Sequence, residues 1–426
     1  MVSINFLLIL FGLTVLIGLT YSTMSLIGAS IYDMRLIRRQ SMRRKHPHRR
    51  AYRKRPLVTV LVPAHNEEVV IKRCLDSLLA STYRKFEIVV IDDASIDNTR
   101  QIVMQYICAH PSRNISLLNM HVNRGKAGAL NHALKRQARG DIIMTLDSDC
   151  TIDRYAISRA VRHFIEDEPS ALSPNVRIMD NGKILGTLQQ FEFLGGFRSK
   201  KFNNISNSEY IVGGAGAMYT RDAMNKLGGY DESMKTEDIA LSLALASLGN
   251  KENRIHYASD VLVYTEPVST YKSLLKQRYR WKFGGLQAIY QNRQMLFNSH
   301  RKYSKMLSWV RLPMAVWAEF QLLLEPIYFT YFIYLALKYH NPILFIIAWA
   351  TMTGFLLLAL WGDEHMTLIR KIRMTLLAPL MYIVFYVMTS IQVIAAFRCL
   401  FNFKFIANRK LVRGTWISPE RIGQTV

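Results

Sequence analysis

Apolar residues gather at the two ends of the chain, and a mixed, charged region fills the middle. Residues 4–32 are almost wholly apolar, and about twenty such residues span a bilayer as a helix. Nothing basic precedes this run, and eleven Lys or Arg follow between Arg35 and Arg55. A cleaved signal peptide would place its positive charge ahead of a shorter apolar stretch. The order found here predicts an uncleaved helix, N-terminus outside and basic flank inside.

From residue 57 to 146 the pattern alternates. LVTVLVP (57–63), FEIVVID (86–92), ISLLNM (115–120) and DIIMTLD (141–147) are short, apolar, largely β-branched runs. Buried parallel strands read this way. Helical stretches are expected between them, near 67–80, 97–109 and 126–139. This βαβ alternation predicts an open, mostly parallel α/β sheet, whose ligands bind at the carboxyl ends of its strands. Residues 151–301 are mixed, with no long linker and no repeat. Apolar runs then resume. Residues 309–337 carry Glu319, Glu325 and Pro326, so part of this run is read as an interfacial helix. Residues 342–361 read as a clean span, and 376–400 as another, broken by Pro379. Three full crossings after an internal domain would put the basic tail outside. The positive-inside tendency prefers Lys404, Arg409, Lys410 and Arg413 inside, which one re-entrant or hairpin run would satisfy.

Charge narrows the class. The 426 residues carry a formal net charge of +24, which suits anionic partners. Much of the excess abuts the first apolar run, where Lys and Arg meet anionic lipid. The basic run has no nucleic-acid motif, so nucleic acid is not an expected partner. Cys74, Cys108, Cys150 and Cys399 show no metal-ligand or redox spacing, and a disulfide framework is not expected. The eleven histidines form no zinc pattern.

Acidic motifs end three of the four strand runs: PAHNEE (63–68), DDASIDN (92–98) and DSD (147–149). Helix capping would account for Asn66 and Asp97. It does not account for Asp92 beside Asp93, or Asp147 near Asp149, because crowded like charges are costly. A hard divalent cation, Mg2+ or Mn2+, would relieve that cost. No Walker or GxGxxG pattern is present. GKAGALNHAL (125–134) offers a Lys at a helix start, either to hold phosphate or as one exposed Lys on an ordinary helix. The Gly-rich segment 213–232 reads equally as a close approach to ligand or as a tight turn. TED (236–238) precedes a helical run, which Thr236 would cap. QRYRW (277–281) puts Gln277, Arg280 and Trp281 on one helical face.

PAHNEE, DDASIDN, NRGKAGALNHAL, DSD, TED and QRYRW, in this order over residues 57–285, resemble glycosyltransferase family 2. The QxxRW form resembles the family's processive polysaccharide synthases. Chain size, a single N-terminal anchor and the ending RGTWISPERIG (413–423) are most similar to the bacterial poly-β-1,6-N-acetylglucosamine synthases. The tail lacks the WGTR form of hyaluronan and chitin synthases. The resemblance implies a GT-A nucleotide-diphospho-sugar transferase domain with a mostly parallel sheet, flanked by transmembrane and interfacial helices. The expected layout is a membrane helix (1–33), a basic juxtamembrane segment (34–56), a cytoplasmic transferase domain (57–305), interfacial and membrane helices (306–402) and a basic tail (403–426).

The resemblance also implies roles. Ala64, Glu67, Asp93, Lys126, Asp147, Gln277 and Arg280 would bind the donor, Asp149 the cation, and Trp281 the acceptor. Asp238, with Glu237 beside it, would be catalytic. The implied activity is inverting, processive transfer from a UDP-sugar, best read as UDP-N-acetylglucosamine, into a β-linked exopolysaccharide of the biofilm kind. The protein would be a multi-pass inner-membrane protein that contacts lipid and the growing polysaccharide, with an accessory membrane subunit left open. Glu319 and Glu325 would line a polymer path or lie at the interface in water. The rival readings are a non-processive transferase acting on a lipid acceptor and a scaffold built on a degenerate transferase domain.

Overall fold

A computed structural model describes residues 2–45, 55–408 and 423. Residues 46–54 of the basic segment, and all of the tail motif 413–423 except Gly423, lie outside the described residues. The four apolar runs form β1 (Val58–Ala64), β2 (Phe86–Asp93), β3 (Ile115–Met120) and β4 (Ile142–Thr145). Four more strands follow: β5 (Thr151–Ile152), β6 (Ala171–Ile178), β7 (Ala217–Thr220) and β8 (Ile255–Thr265). All eight form one sheet in the order β3-β2-β1-β4-β7-β6-β8-β5. The β1/β2, β1/β4, β2/β3 and β6/β8 pairings are parallel. The other three are antiparallel. The expected mostly parallel sheet is therefore present, with β7 reversing direction beside β4.

Side chains of a strand alternate between faces, and both faces of this sheet are covered. Val58, Val60 and Val62 of β1, with Ile88 and Val90 of β2, pack on α2 (Ile71–Leu79), α3 (Thr99–Ala109) and α5 (Ala156–Glu166). Leu61, Val89, Ile91 and Ile143 point the other way. They meet α4 (Gly125–Arg136), α7 (Arg221–Leu227), α8 (Glu237–Ser247) and α9 (Tyr271–Gln291). Register sets the polar loops side by side. Ala64 pairs with Asp92, and Leu61 with Thr145, so the ends of β1, β2 and β4 open on one crevice.

The first helix, α1 (Val2–Lys45), runs unbroken from the apolar stretch into the basic segment. Its later half is fastened to the sheet domain. Tyr32 donates to Tyr257 O at 3.1 Å and accepts from Ser259 N at 3.1 Å. Asp33 pairs with Arg198 of α6 (Ile184–Ile205) at 3.1 Å. After the sheet come a π-helical turn (Met306–Arg311), α10 (Leu312–Lys338), α11 (Ile343–Trp361), α12 (Leu368–Phe401) and α13 (Phe403–Ala407).

Among the described residues, three helices are long and apolar enough to cross a membrane: Ile9–Met42, Met306–Lys338 and Leu368–Phe401. A shorter apolar helix covers Phe345–Trp361. Pro379 does not break α12 as the sequence suggested; a proline removes one backbone donor, and the helix continues through it. Met374, Ala378 and Met381 of α12 pack on Phe191 and Leu194 of α6. Met388 and Ile391 meet Leu188 and Leu274, and Cys399 meets Phe283 of α9. One stripe of α12 is therefore held against α6 and α9 along its whole length, while Leu376, Ile383 and Phe401 on other sides stay exposed. Glu319 forms an ion pair with Lys282 of α9, its oxygens 2.9 and 2.6 Å from Nζ. Glu325 is half-buried on α10.

Candidate active site

The crevice begins with two interlaced loops. The loop after β1 and the loop after β2 exchange hydrogen bonds: Asn66 N to Ser95 Oγ (3.0 Å), Ile96 N to Asn66 Oδ1 (2.9 Å) and Glu67 N to Thr99 Oγ1 (2.8 Å). Asn66 and Ala94 both hold positive φ, 56° and 59°, a costly state for residues other than glycine. Such strain persists only where surrounding contacts enforce it, and here the lacing does so. Asp97 accepts from Glu68 N and Thr99 N, so it is a loop and cap residue. Ala64 and Glu67 are buried at the end of β1.

Asp93 is fully buried, and only one of its oxygens is used. Oδ1 accepts from Arg124 N at 2.9 Å, while Oδ2 has no partner among the described residues. Burial pushes its pKa up, against the pull of the Arg124 amide. A buried carboxylate oxygen left idle is a place where a ligand N–H or hydroxyl gains a bond without displacing another. Asp92, by contrast, accepts from Ser95 N at 3.0 Å and braces the turn.

Lys126 ties two distant motifs together. Its ammonium lies 2.6 Å from Asp147 Oδ1 and 2.9 Å from Glu237 Oε1. Burial works against that charge, yet Asp147, Glu237 and Asp238 outweigh it and hold the Lys126 pKa well above its usual value. α4 therefore starts at the point where β4 ends and α8 begins. Asp238 is fixed by two backbone donors: Gly214 N to Oδ2 at 2.7 Å and Ile239 N to Oδ1 at 2.9 Å. Its pKa is raised, chiefly by burial and next by the charge of Glu237, while Lys126 and Arg280 pull it down.

The two readings of the Gly-rich segment separate by position. Gly216 holds φ +75°, a turn that favours glycine. At Gly214 a Cβ would stand 2.9 Å from Lys126 Nζ and 3.3 Å from Asp238 Oδ2, so the missing side chain lets these charges approach. Asp147, Asp149 and Cys150 place one candidate ligand atom each within 4.8 Å of one another. Burial keeps the Cys150 thiol protonated, with its pKa well above normal. That leaves the two carboxylates as hard oxygen donors, which suits Mg2+ or Mn2+.

On α9, Gln277 and Trp281 are half-buried and Arg280 is exposed, close enough for its charge to reach Asp238. Three supports went unseen in the sequence. The first is buried Arg278, which pairs with Glu192 of α6 and stacks 4.2 Å over the Trp281 ring, fixing that ring. The second is Asn131 of α4, which donates to Tyr230 O and accepts from Tyr230 N, both at 2.8 Å, clamping the loop before TED. The third is Gly284, where a methyl group would run into Thr236 Oγ1. A Gly pair inside a helix, at 284–285, was a visible sign of close approach. Gly284→Ala is expected to push α9 off residues 236–238 and cost about 1–3 kcal/mol, as overpacking does. A fall in Tm together with a fall in kcat would register it; an unchanged Tm and kcat would contradict it.

Comparison with known proteins bears on the family and the fold. Residues 59–228 match the family described as Glycosyl transferase family 2. The chain is 31% identical over 234 residues to a poly-beta-1,6-N-acetyl-D-glucosamine synthase of Staphylococcus aureus (strain COL), covering 54% of this chain and 55% of that protein. A synthase of the same name from Staphylococcus epidermidis is 30% identical over the same length. The chain thus spans about half the length of the curated relatives it matches. Among solved structures, a mannosyltransferase from Pyrobaculum calidifontis, in complex with GDP-Man and Mn2+, aligns with a TM-score of 0.54 at 21% identity. That alignment covers 90% of this chain and 99% of the other, and it shows a shared GT-A fold. Residues 59–228 of this chain are a glycosyl transferase family 2 domain.

Proposed function

We propose that this chain is an inverting, processive glycosyltransferase, embedded in the inner membrane, that polymerises UDP-N-acetylglucosamine into a β-linked polysaccharide on the cytoplasmic side and passes it across the membrane. The observation that carries this reading is the double ion pair of Lys126, which holds a DSD and a TED carboxylate on one ammonium. The similarity to the staphylococcal synthases supports the choice of sugar.

In this reading the uridine lies against Ala64, Glu67 and Asp93, where the idle Asp93 oxygen accepts a hydrogen bond. Asp149, with Asp147, would hold a divalent cation, which supplies positive charge to the diphosphate. The acceptor hydroxyl attacks the anomeric carbon, the bond to the diphosphate breaks, and the proton passes to Asp238. A single displacement inverts the configuration. Lys126, Gln277 and Arg280 take up charge on the departing diphosphate. Trp281, fixed by Arg278, offers a flat face to the acceptor sugar.

Asp238 must be ionised to act, so activity falls as pH drops through its raised pKa. Glu237→Gln removes a negative charge that raises that pKa, so the acid limb of kcat is expected to move to lower pH. A pH profile with an unmoved limb would contradict the assignment. The whole reading is tested by giving the purified chain UDP-N-acetylglucosamine with Mg2+ or Mn2+. A long β-linked polymer is expected, and EDTA should stop its synthesis. A single sugar added per acceptor would remove processivity; full activity in EDTA would remove the cation.

A further inference from the structure

A second cluster lies on residues that take no part in the nucleotide crevice. His163 stands in the last turn of α5 and Asp167 just beyond it, and His256 and Asp260 lie on β8. His163, His256 and Asp260 are all under a tenth exposed, and the Asp167 side chain is 8% exposed. One candidate ligand atom from each of His163, Asp167 and His256 lies within 4.8 Å of the other two. Asp167 Oδ2 is 3.2 Å from His163 Nδ1 and 3.7 Å from His256 Nε2. A tetrahedral ion bound at about 2.0–2.1 Å holds its ligands roughly 3.3–3.4 Å apart, so these spacings leave a place for one.

The independent sign is His256 itself. It is 4% exposed, yet among the described residues neither of its ring nitrogens has a hydrogen-bond partner. An imidazole buried without a partner is costly, and such a group calls for an ion or a water. His163 adds a second feature of a metal site: its other nitrogen, Nε2, lies 2.7 Å from Asp260 Oδ1. A carboxylate behind a ligating imidazole fixes its tautomer and raises its basicity.

We infer that His163, Asp167 and His256 form a buried three-ligand site for Zn2+, with a water as fourth ligand and Asp260 orienting His163. Two imidazoles and one carboxylate are a zinc donor set, whereas the oxygen donors of the crevice suit Mg2+ or Mn2+. The two sites therefore call for different metals. The zinc site would also brace the membrane anchor, because Arg39 Nη1 of α1 reaches both Asp167 oxygens, Oδ1 at 2.8 Å and Oδ2 at 3.0 Å, and on metal binding would keep Oδ1. The ion would lock α5 to β8 and hold Asp167 in place to receive Arg39.

The test is the metal content of the full-length protein, made without a polyhistidine tag, purified in detergent and measured by plasma mass spectrometry. About one zinc per chain is expected in the wild type and in Asp149→Asn. His256→Gln and His163→Gln should lose it, and Asp260→Asn should weaken zinc affinity about 10- to 100-fold. If the His variants fail to fold, Co2+ substitution of the wild type decides, since a tetrahedral N/O site gives visible absorption bands without thiolate charge transfer. A wild-type chain that contains no transition metal and takes up neither Zn2+ nor Co2+ would overturn the inference. In that case a protonated His163 fills the cluster, its pKa raised to about 9 because Asp167 and Asp260 overcome burial. Zinc retained in full by both His variants would overturn it equally, by placing the metal elsewhere.

Discussion

Asp238→Asn is expected to lower kcat by about 100- to 10,000-fold while leaving donor affinity nearly unchanged, the range set by loss of a general base. The substitution keeps the size of the side chain and one of the two acceptors, so one of the bonds from Gly214 N and Ile239 N survives and the other is lost. What it removes is the site for the incoming proton. An interaction made only in the transition state shows in kcat and leaves KM alone. Single-turnover transfer and UDP titration on the same preparation separate the two. Unchanged turnover would remove the base assignment, and lost UDP binding would show that Asp238 belongs to the donor pocket.

Lys126→Met is expected to act on both binding and turnover. Asp147, Glu237 and Asp238 would lose their shared cation, and the departing diphosphate would lose a positive partner. Loss of one such electrostatic donor costs about 100- to 1,000-fold in kcat, with a rise in donor KM besides. Stability should fall too, by about 3 kcal/mol at most, because the Asp147 side chain is 32% exposed and water screens part of the repulsion. Lys126→Arg should recover part of both. Steady-state kinetics with a thermal melt would check this; a variant with wild-type kinetics would mean that Lys126 only ties Asp147 to Glu237 and takes no part in transfer.

The parallel half of the sheet was legible because β1, β2 and β4 are apolar runs buried on both faces, and β3, half-buried at the sheet edge, is a short apolar run of the same kind. The second half was not. β5 is two residues long, β7 is four, and β6 is interrupted between Pro174 and Asn175, so none carries a readable period. α12 was half legible: its length and apolarity stood out, but its unbroken passage through Pro379 depends on how it packs. For the crevice, acids at three strand ends could be seen, because chain position relative to strands fixes where they emerge. That Asp147 and Glu237 share one ammonium could not be seen, since 90 positions separate them in the sequence. At Gly214 and Gly284 the sequence could signal a close approach but not its partner. Each glycine is needed by what lies across from it, Lys126 and Asp238 in one case and Thr236 in the other, which local sequence does not record.

The account rests on one crevice that gathers DSD, TED and Lys126 around a sugar nucleotide. A cryo-EM map of the full chain with UDP and Mn2+ tests this most directly. Expected is density for the diphosphate between Asp149 and Lys126, Mn2+ in contact with Asp149, and Asp238 facing the open end where the sugar would sit. Nucleotide bound on another surface, with Lys126 still closed on Asp147 and Glu237, would contradict the account.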